Sequence, residues 1–277
     1  MTPPSLHKST LAQDTTTHAK IKIPSKPPPS SDDIPTTLTK NTTTNTLFTT
    51  LPPYNDARPN EPITECIIRP EIKDTILAIP GFPHPFTTPD PPRYEIKLIR
   101  GAGMGMVATV DLDVGDVILA ERPLLVTTQL LQRAGQLPWQ HPHHLQRMVV
   151  ERMPKETAEE FFALHNCKGY TQPSITGIFN TNAIGIGALP GYPADCGAVC
   201  KVISRVNHSC SPTATWAFHV ESFAVQLRAI LPIRKGEEVF VNYGTRGQRL
   251  EERQQYLLRR YKFKCACPPV CVPVSRK

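Results

Sequence analysis

A chain of 277 residues with a net charge of +7 has room for one sizeable core and flanking segments. No apolar run approaches the ~20 residues that cross a bilayer, and the start Met1-Thr-Pro-Pro lacks the basic and apolar stretches of a secretory signal, so a soluble, intracellular protein is expected. Charge and proline are unevenly placed: residues 1–92 hold 18 of the 30 prolines and 8 basic against 9 acidic side chains, which assigns the basic surplus to the rest of the chain. That surplus favours acidic partners such as nucleic acid, nucleosome surfaces or acidic protein segments, but it forms no long runs and so points to none of them.

Residues 1–60 are dominated by Thr, Pro, Ser and Asn, including Thr15 to Thr17, Pro27 to Pro29 and Thr42 to Thr44. So little apolar material cannot offset the entropy of ordering it, and a disordered tail is predicted. Residues 61–92 place Ile67, Ile68, Ile76, Leu77 and Ile79 among prolines and read as an extended segment flanking the domain. From Tyr94 to Ile99 polar and apolar residues alternate like a half-buried strand, which runs into Gly101-Ala-Gly103-Met104-Gly105-Met106-Val-Ala108. Val117 to Ala120 reads as another strand. A helical insertion is predicted over about residues 128–176, with Leu145, Met148, Val149 and Met153 at helical spacing and a second helical stretch from Lys155 to Leu164. Thr213 to His219, Phe223 to Ile230 and Glu238 to Val241 read as strands. Gln248 to Tyr261 reads as a helix with Leu250, Leu257, Leu258 and Tyr261 on one face. Short strands around one helical insertion indicate an α+β, β-rich domain over residues 93–260, followed by a Cys-rich tail at 261–277.

Three constellations carry chemistry. Gly101-x-Gly103-x-Gly105 lacks the spacing and the following helix of a dinucleotide fingerprint, but it can bring bare backbone close to a ligand. Arg205-Val-Asn207-His208-Ser209-Cys210-Ser-Pro212-Thr213 is followed by Gly236-Glu237-Glu238-Val-Phe-Val-Asn242-Tyr243-Gly244, a density of polar groups unusual for ordinary turns. Tyr261-Lys-Phe263-Lys-Cys265-Ala-Cys267-Pro-Pro-Val-Cys271 sets three thiols within reach of one ion, for which zinc would need a fourth ligand. On spacing alone the three thiols could equally be incidental. Cys66, Cys167, Cys196 and Cys200 read as small buried hydrophobes.

Together these motifs resemble the GxGxG(V/L)xA, NHSCxPN and GEE(I/L)xxxY signatures of the SET-domain protein-lysine methyltransferases, in the same order, over residues 94–271. The helical insertion and the YxFxCxC ending are similar to the SET-and-MYND branch, without its MYND finger. The resemblance implies S-adenosylmethionine as cofactor, a protein substrate with a target lysine, histone or non-histone, with nucleic acid met only indirectly through chromatin, and a structural zinc in which Cys210 joins Cys265, Cys267 and Cys271. It implies that Tyr243 orients the target amine and that Tyr261 and Phe263 complete an aromatic channel over the cofactor. It also implies cofactor contacts from Met104, Gly105, Met106, Asn182, Asn207, His208 and Tyr243. Thr213 departs from the pattern, which has Asn there, and so does the CxCxxxC spacing. The competing expectation is a catalytically inactive SET module acting as a protein-binding or chromatin-associated adaptor.

Overall fold

The computed structural model describes residues 47–54, 61–128, 142–267 and 271. Strands β1 (Leu47–Leu51) and β2 (Thr64–Ile68) pair antiparallel in the register Leu47↔Ile68 to Leu51↔Thr64. A helix, α1 (Pro70–Leu77), follows with Pro70 in its first turn, where a missing N–H costs nothing. Next come the hairpin β3 (Tyr94–Ile99) and β4 (Gly103–Ala108), then β5 (Val117–Glu121) and β6 (Leu125–Thr128).

The insertion holds α2 (Pro142–Glu151), α3 (Lys155–Phe162) and α4 (Ser174–Asn182). Beyond it lie β7 (Ile184–Gly185), β8 (Cys196–Val199), a 3-10 turn (Ile203–Arg205) and β9 (Asn207–His208). The chain closes with β10 (Ala214–His219), β11 (Ala224–Ala229), β12 (Phe240–Val241) and α5 (Leu250–Tyr261). The strands form a five-stranded sheet in the order β1-β2-β6-β8-β7, a three-stranded sheet β10-β11-β5, the β3-β4 hairpin and the parallel pair β12-β9.

One core joins the two larger sheets through Ile68, Met106, Ile118, Val126, Ala198, Val225 and Leu227. A second forms where the helical insertion packs Leu145, Val149, Phe161 and Ile178 against Ile67, Leu125 and Val199. The insertion is therefore fused to the outer face of the five-stranded sheet, and its last helix ends at Asn182.

Several sequence expectations need correction. Residues 47–51, within the tail expected over 1–60, form β1, with Leu51 fully buried and Thr49 and Thr50 buried beside it; residues 1–46 and 55–60 lie outside the described residues. The flank expected as extended over 61–92 contains β2 and α1. Helix extends past 176 to Asn182, while 129–141 lie outside the described residues. On α5 only Leu257 is buried; Leu250 and Leu258 are each 44% exposed, since the helix rests on the domain by a narrow edge. Of the stretch Glu238 to Val241, only Phe240 and Val241 pair as a strand.

Candidate active site

The β3-β4 hairpin turns at Arg100-Gly101-Ala102, with Gly101 and Gly103 at φ +80° and +79°, a region that glycine occupies without strain. Its second strand lays Gly105 against β9 so closely that a Cβ there would stand 2.5 Å from Glu238 Oε1 and 2.8 Å from Asn207 Nδ2. The neighbours of Gly105 are thus side chains of the two polar motifs and, 2.6 Å from such a Cβ, Ile99 of its own hairpin. Met106 is fully buried in the core and its carbonyl accepts the Val239 N–H at 2.8 Å, whereas Met104 is 41% exposed.

The parallel pairing of β9 with β12, Asn207↔Phe240 and His208↔Val241, welds the two motifs into one unit. Each conspicuous residue of the second motif has a local task. Gly236, at φ +88°, permits the turn that Glu237 closes by accepting the Arg234 N–H at 2.9 Å. Glu238 accepts from Asn207 Nδ2 at 2.7 Å, and Asn207 donates its other N–H to the Met104 carbonyl at 3.3 Å. Asn242 accepts the Thr245 N–H at 2.7 Å in an Asx-type turn whose third residue, Gly244, lies at φ +84°. Thr213, the departure from the family pattern, accepts the Phe240 N–H on its hydroxyl at 3.0 Å, donates its own N–H to the Phe240 carbonyl at 3.0 Å and accepts the Ile230 N–H on its carbonyl at 2.8 Å. A hydroxyl therefore stitches β12 to the start of β10 where an asparagine would be expected.

His208 is buried, and burial, then the nearby Arg253 charge, pushes its pKa down to about 4. Its Nδ1 accepts the Tyr243 N–H at 3.0 Å, which places the remaining ring proton on Nε2, 3.4 Å from Cys210 Sγ. Tyr243 donates its hydroxyl to the Val206 carbonyl at 2.7 Å, and burial followed by the neighbouring Tyr261 and Glu238 raises its pKa well above the usual phenol range. Tyr243 and Tyr261 rings lie 4.7 Å apart, Tyr261 and Phe263 6.5 Å, and Phe263 and His208 6.1 Å. The structure thus gathers Tyr243, Tyr261, Phe263 and His208 into one aromatic cluster. Asn182 stands apart from them: its Nδ2 donates to the His165 and Ile178 carbonyls, both at 2.7 Å, and it lies 6% exposed at the end of α4.

The four cysteines proposed as ligands converge. The sulfurs of Cys210, Cys265, Cys267 and Cys271 all lie within 4.8 Å of one another. A zinc tetrahedron with sulfur ligands at about 2.3 Å has edges of about 3.8 Å, so the donor set fits zinc in number, type and spread. Other groups support it. Gln254 of α5 accepts the Cys265 N–H at 3.0 Å and donates to the Cys265 carbonyl at 2.6 Å, while Arg253 points to Cys271 Sγ at 3.8 Å and the Cys210 N–H to Cys267 Sγ at 3.3 Å. Burial pushes the Cys210 thiol up to about 11; it pushes Cys267 up as well, but hydrogen bonds from Cys265 and the Cys210 amide outweigh it and bring that thiol down to about 7. A thiolate is the form that binds metal.

Sequence reasoning missed Glu238 as the partner of Asn207 and Thr213 as a stitch. The motif held the signal for the first, since Glu238 stands in GEE; the second shows only once β12 is seen to lie against β10.

This chain resembles known proteins in sequence. The model of the SET domain matches residues 103–244, half of the chain. The chain is 31% identical over 184 residues to "Histone-lysine N-methyltransferase set5" of Schizosaccharomyces pombe, covering 66% of this chain and 52% of that protein. It is 46% identical over 69 residues to human "Protein-lysine N-methyltransferase SMYD4", covering 24% of this chain and 8% of that protein. The solved SET domain of LSMT bound to lysine and AdoHcy aligns at 15% identity with a TM-score of 0.41, over 64% of this chain and 54% of that one. The matched region thus spans about half of set5 and a small part of SMYD4. On the strength of the SET match across half its length, this chain belongs to the SET-domain family.

Proposed function

We propose that the chain is an S-adenosylmethionine-dependent protein-lysine N-methyltransferase with a structural zinc bound by Cys210, Cys265, Cys267 and Cys271. The observation that carries this reading is the junction of Asn207, His208 and Tyr243 on the β9-β12 pair, with Tyr261 and Phe263 stacked beside it. The names of the relatives set5 and SMYD4 support the reaction class. The cofactor fits the chemistry of the donor set. Both N–H groups of Asn207 are engaged by Met104 and Glu238, and among the described residues its Oδ1 accepts nothing, which leaves an acceptor for a ligand N–H. Asn207, the backbone at His208, Met104 and Gly105, and Asn182 would hold it, with Met106 packed in the core beneath.

When bound, S-adenosylmethionine supplies a methyl group on a sulfonium for in-line displacement by an amine. Free lysine has a pKa of about 10.4, so the site must favour the uncharged amine. An enclosed aromatic wall of Tyr243, Tyr261 and Phe263 does so by desolvation. Tyr243 stays protonated, with its hydrogen directed at Val206, so its oxygen lone pairs are free to accept an amine N–H and fix the angle of attack.

The test is methyl transfer from radiolabelled S-adenosylmethionine to a peptide library or lysate, with Tyr243→Phe beside the wild type. The variant is expected to bind cofactor normally and to lose on the order of 100-fold in rate, more than the loss of one hydrogen bond to Val206 would explain through stability. A wild-type rate would reassign Tyr243 to packing. Cofactor binding without transfer to any acceptor would favour the adaptor reading instead.

A further inference from the structure

Glu121 ends β5 and does not belong to any of the motifs above. Its carboxylate reaches across to the 3-10 turn Ile203–Arg205: Oε1 accepts the Ile203 N–H at 2.6 Å and the Val202 N–H at 3.0 Å, and Oε2 lies 3.1 Å from the same Val202 nitrogen. The first amides of a helical turn have no partner within the turn, and this side chain supplies one.

The turn so anchored is a hub. Ser204 within it accepts the Cys200 N–H and donates to the Asn182 carbonyl, both at 3.0 Å. Val206, one residue past it, offers the carbonyl that receives the Tyr243 hydroxyl, and β9 begins at Asn207. Asn182, Asn207, His208 and Tyr243 are therefore all one or two links from the same carboxylate. We propose that Glu121 is a positioning residue for cofactor binding, holding the turn from which Asn182 and the Asn207-His208 pair are set in place. This rests on the reading of the site as an S-adenosylmethionine pocket.

The groups facing Glu121 are Tyr94 from β3 and Cys200 and Lys201 from the segment after β8; Lys201 itself pairs with Glu160 of α3. Arg122, next in the chain, is engaged elsewhere, with Glu61 at 2.7 Å and with the Pro62 and Ser222 carbonyls. Burial raises Glu121 to about 7, against the opposing pull of the amide donors and Lys201, while burial holds Tyr94 and Cys200 in their protonated forms. The folded-state value lies above the unfolded one. Stability from this group is accordingly present at acid pH and falls as pH rises towards 7, whereas the grip on the amides strengthens over the same interval. Anchoring and stability therefore have opposite pH trends, which separates a positioning role from a merely structural one.

The experiment is calorimetric titration of the full chain with S-adenosylmethionine between pH 6 and 8, for wild type, Glu121→Gln and Glu121→Asp, with melting temperatures measured alongside. In Glu121→Gln an NH2 group replaces one of the acceptors facing the Val202 and Ile203 amides, while a buried charge is removed. Its affinity should be about ten-fold weaker than wild type at pH 8. Wild type should weaken by up to about ten-fold from pH 8 to pH 6 as the anchored state is depleted, so the two converge, and the melting temperature of the variant at pH 8 should not fall. Glu121→Asp should lie between. Titration of the cofactor itself cancels in the ratio of variant to wild type. Should Glu121→Gln fail to fold, the Val202 and Ile203 amide resonances of wild type decide, with an expected midpoint at about 7. Equal affinities at pH 8, or amides that do not titrate, overturn the proposal; a wild type without cofactor affinity overturns the reading of the pocket itself.

Discussion

The two ends of the described chain are attached to the domain by different physics. At the N-terminal end, β1 and β2 join the five-stranded sheet through a backbone ladder, Leu51 is fully buried, and Glu65 of β2 takes a hydrogen bond from Thr50 at 2.7 Å and an ion pair from Arg152 at 3.1 Å. At the C-terminal end, Cys265 is clamped by Gln254, the Phe263 ring lies 6.1 Å from that of His208, and the tail otherwise meets the domain at a cluster of sulfurs. The first attachment is built of burial and needs no ligand. The second gathers four thiols whose mutual approach gains little until a metal replaces their protons.

Removing residues 1–52 tests the burial side most severely. It deletes β1 with Leu51, and a loss on the order of 5 kcal/mol should lower the melting temperature by roughly 10 °C or more, whereas removing residues 1–40 should leave it unchanged. Next in size is Arg152→Ala, which leaves Glu65 buried without its cation and should cost about 2–3 kcal/mol at neutral pH. The sign of its pH dependence is fixed. Burial already raises Glu65 above its unfolded value, so a protonated Glu65 needs no cation; the deficit of the variant should be smallest in acid and grow as pH rises, as pH-dependent denaturant titration would show. Smallest in global stability is chelation. Protein purified without chelator should carry one zinc per chain, and its removal should expose the chain after Tyr261 to protease while the melting temperature falls by only about 2–4 °C. If chelation unfolds the whole domain, the two ends do not differ as argued.

The same contrast explains what the sequence could disclose. Side chains that do chemistry stand in compact motifs, so Asn207, His208, Tyr243 and the cysteines could be picked out by type and spacing, and the structure brings Tyr243, His208, Tyr261, Phe263 and the four thiols together. The strand at Leu47–Leu51 was hidden, because its five residues sit in a Thr-rich stretch and their strandedness depends on β2, which in turn needs β6 some sixty residues away. No local window contains that pairing. The glycine run around Gly105 reads in sequence as a place for ligand approach; in the fold Gly105 also lies against Ile99 of its own hairpin and against Glu238 and Asn207, the last two more than a hundred residues further on. Leu250 and Leu258 carried a helical periodicity that the domain does not use.

The imidazole of His208 has a consequence for proton traffic. One ring nitrogen receives the Tyr243 amide and the other faces Cys210, so neither is available to a substrate. Tyr243 gives its hydrogen to Val206 and, like Tyr261, is held in the neutral phenol form by burial. Within this aromatic cluster no group has both a free lone pair and the basicity to take a proton at neutral pH. In the proposed reaction this cluster therefore takes no proton from an incoming ammonium, and its chemistry suits an amine that is neutral when it is aligned.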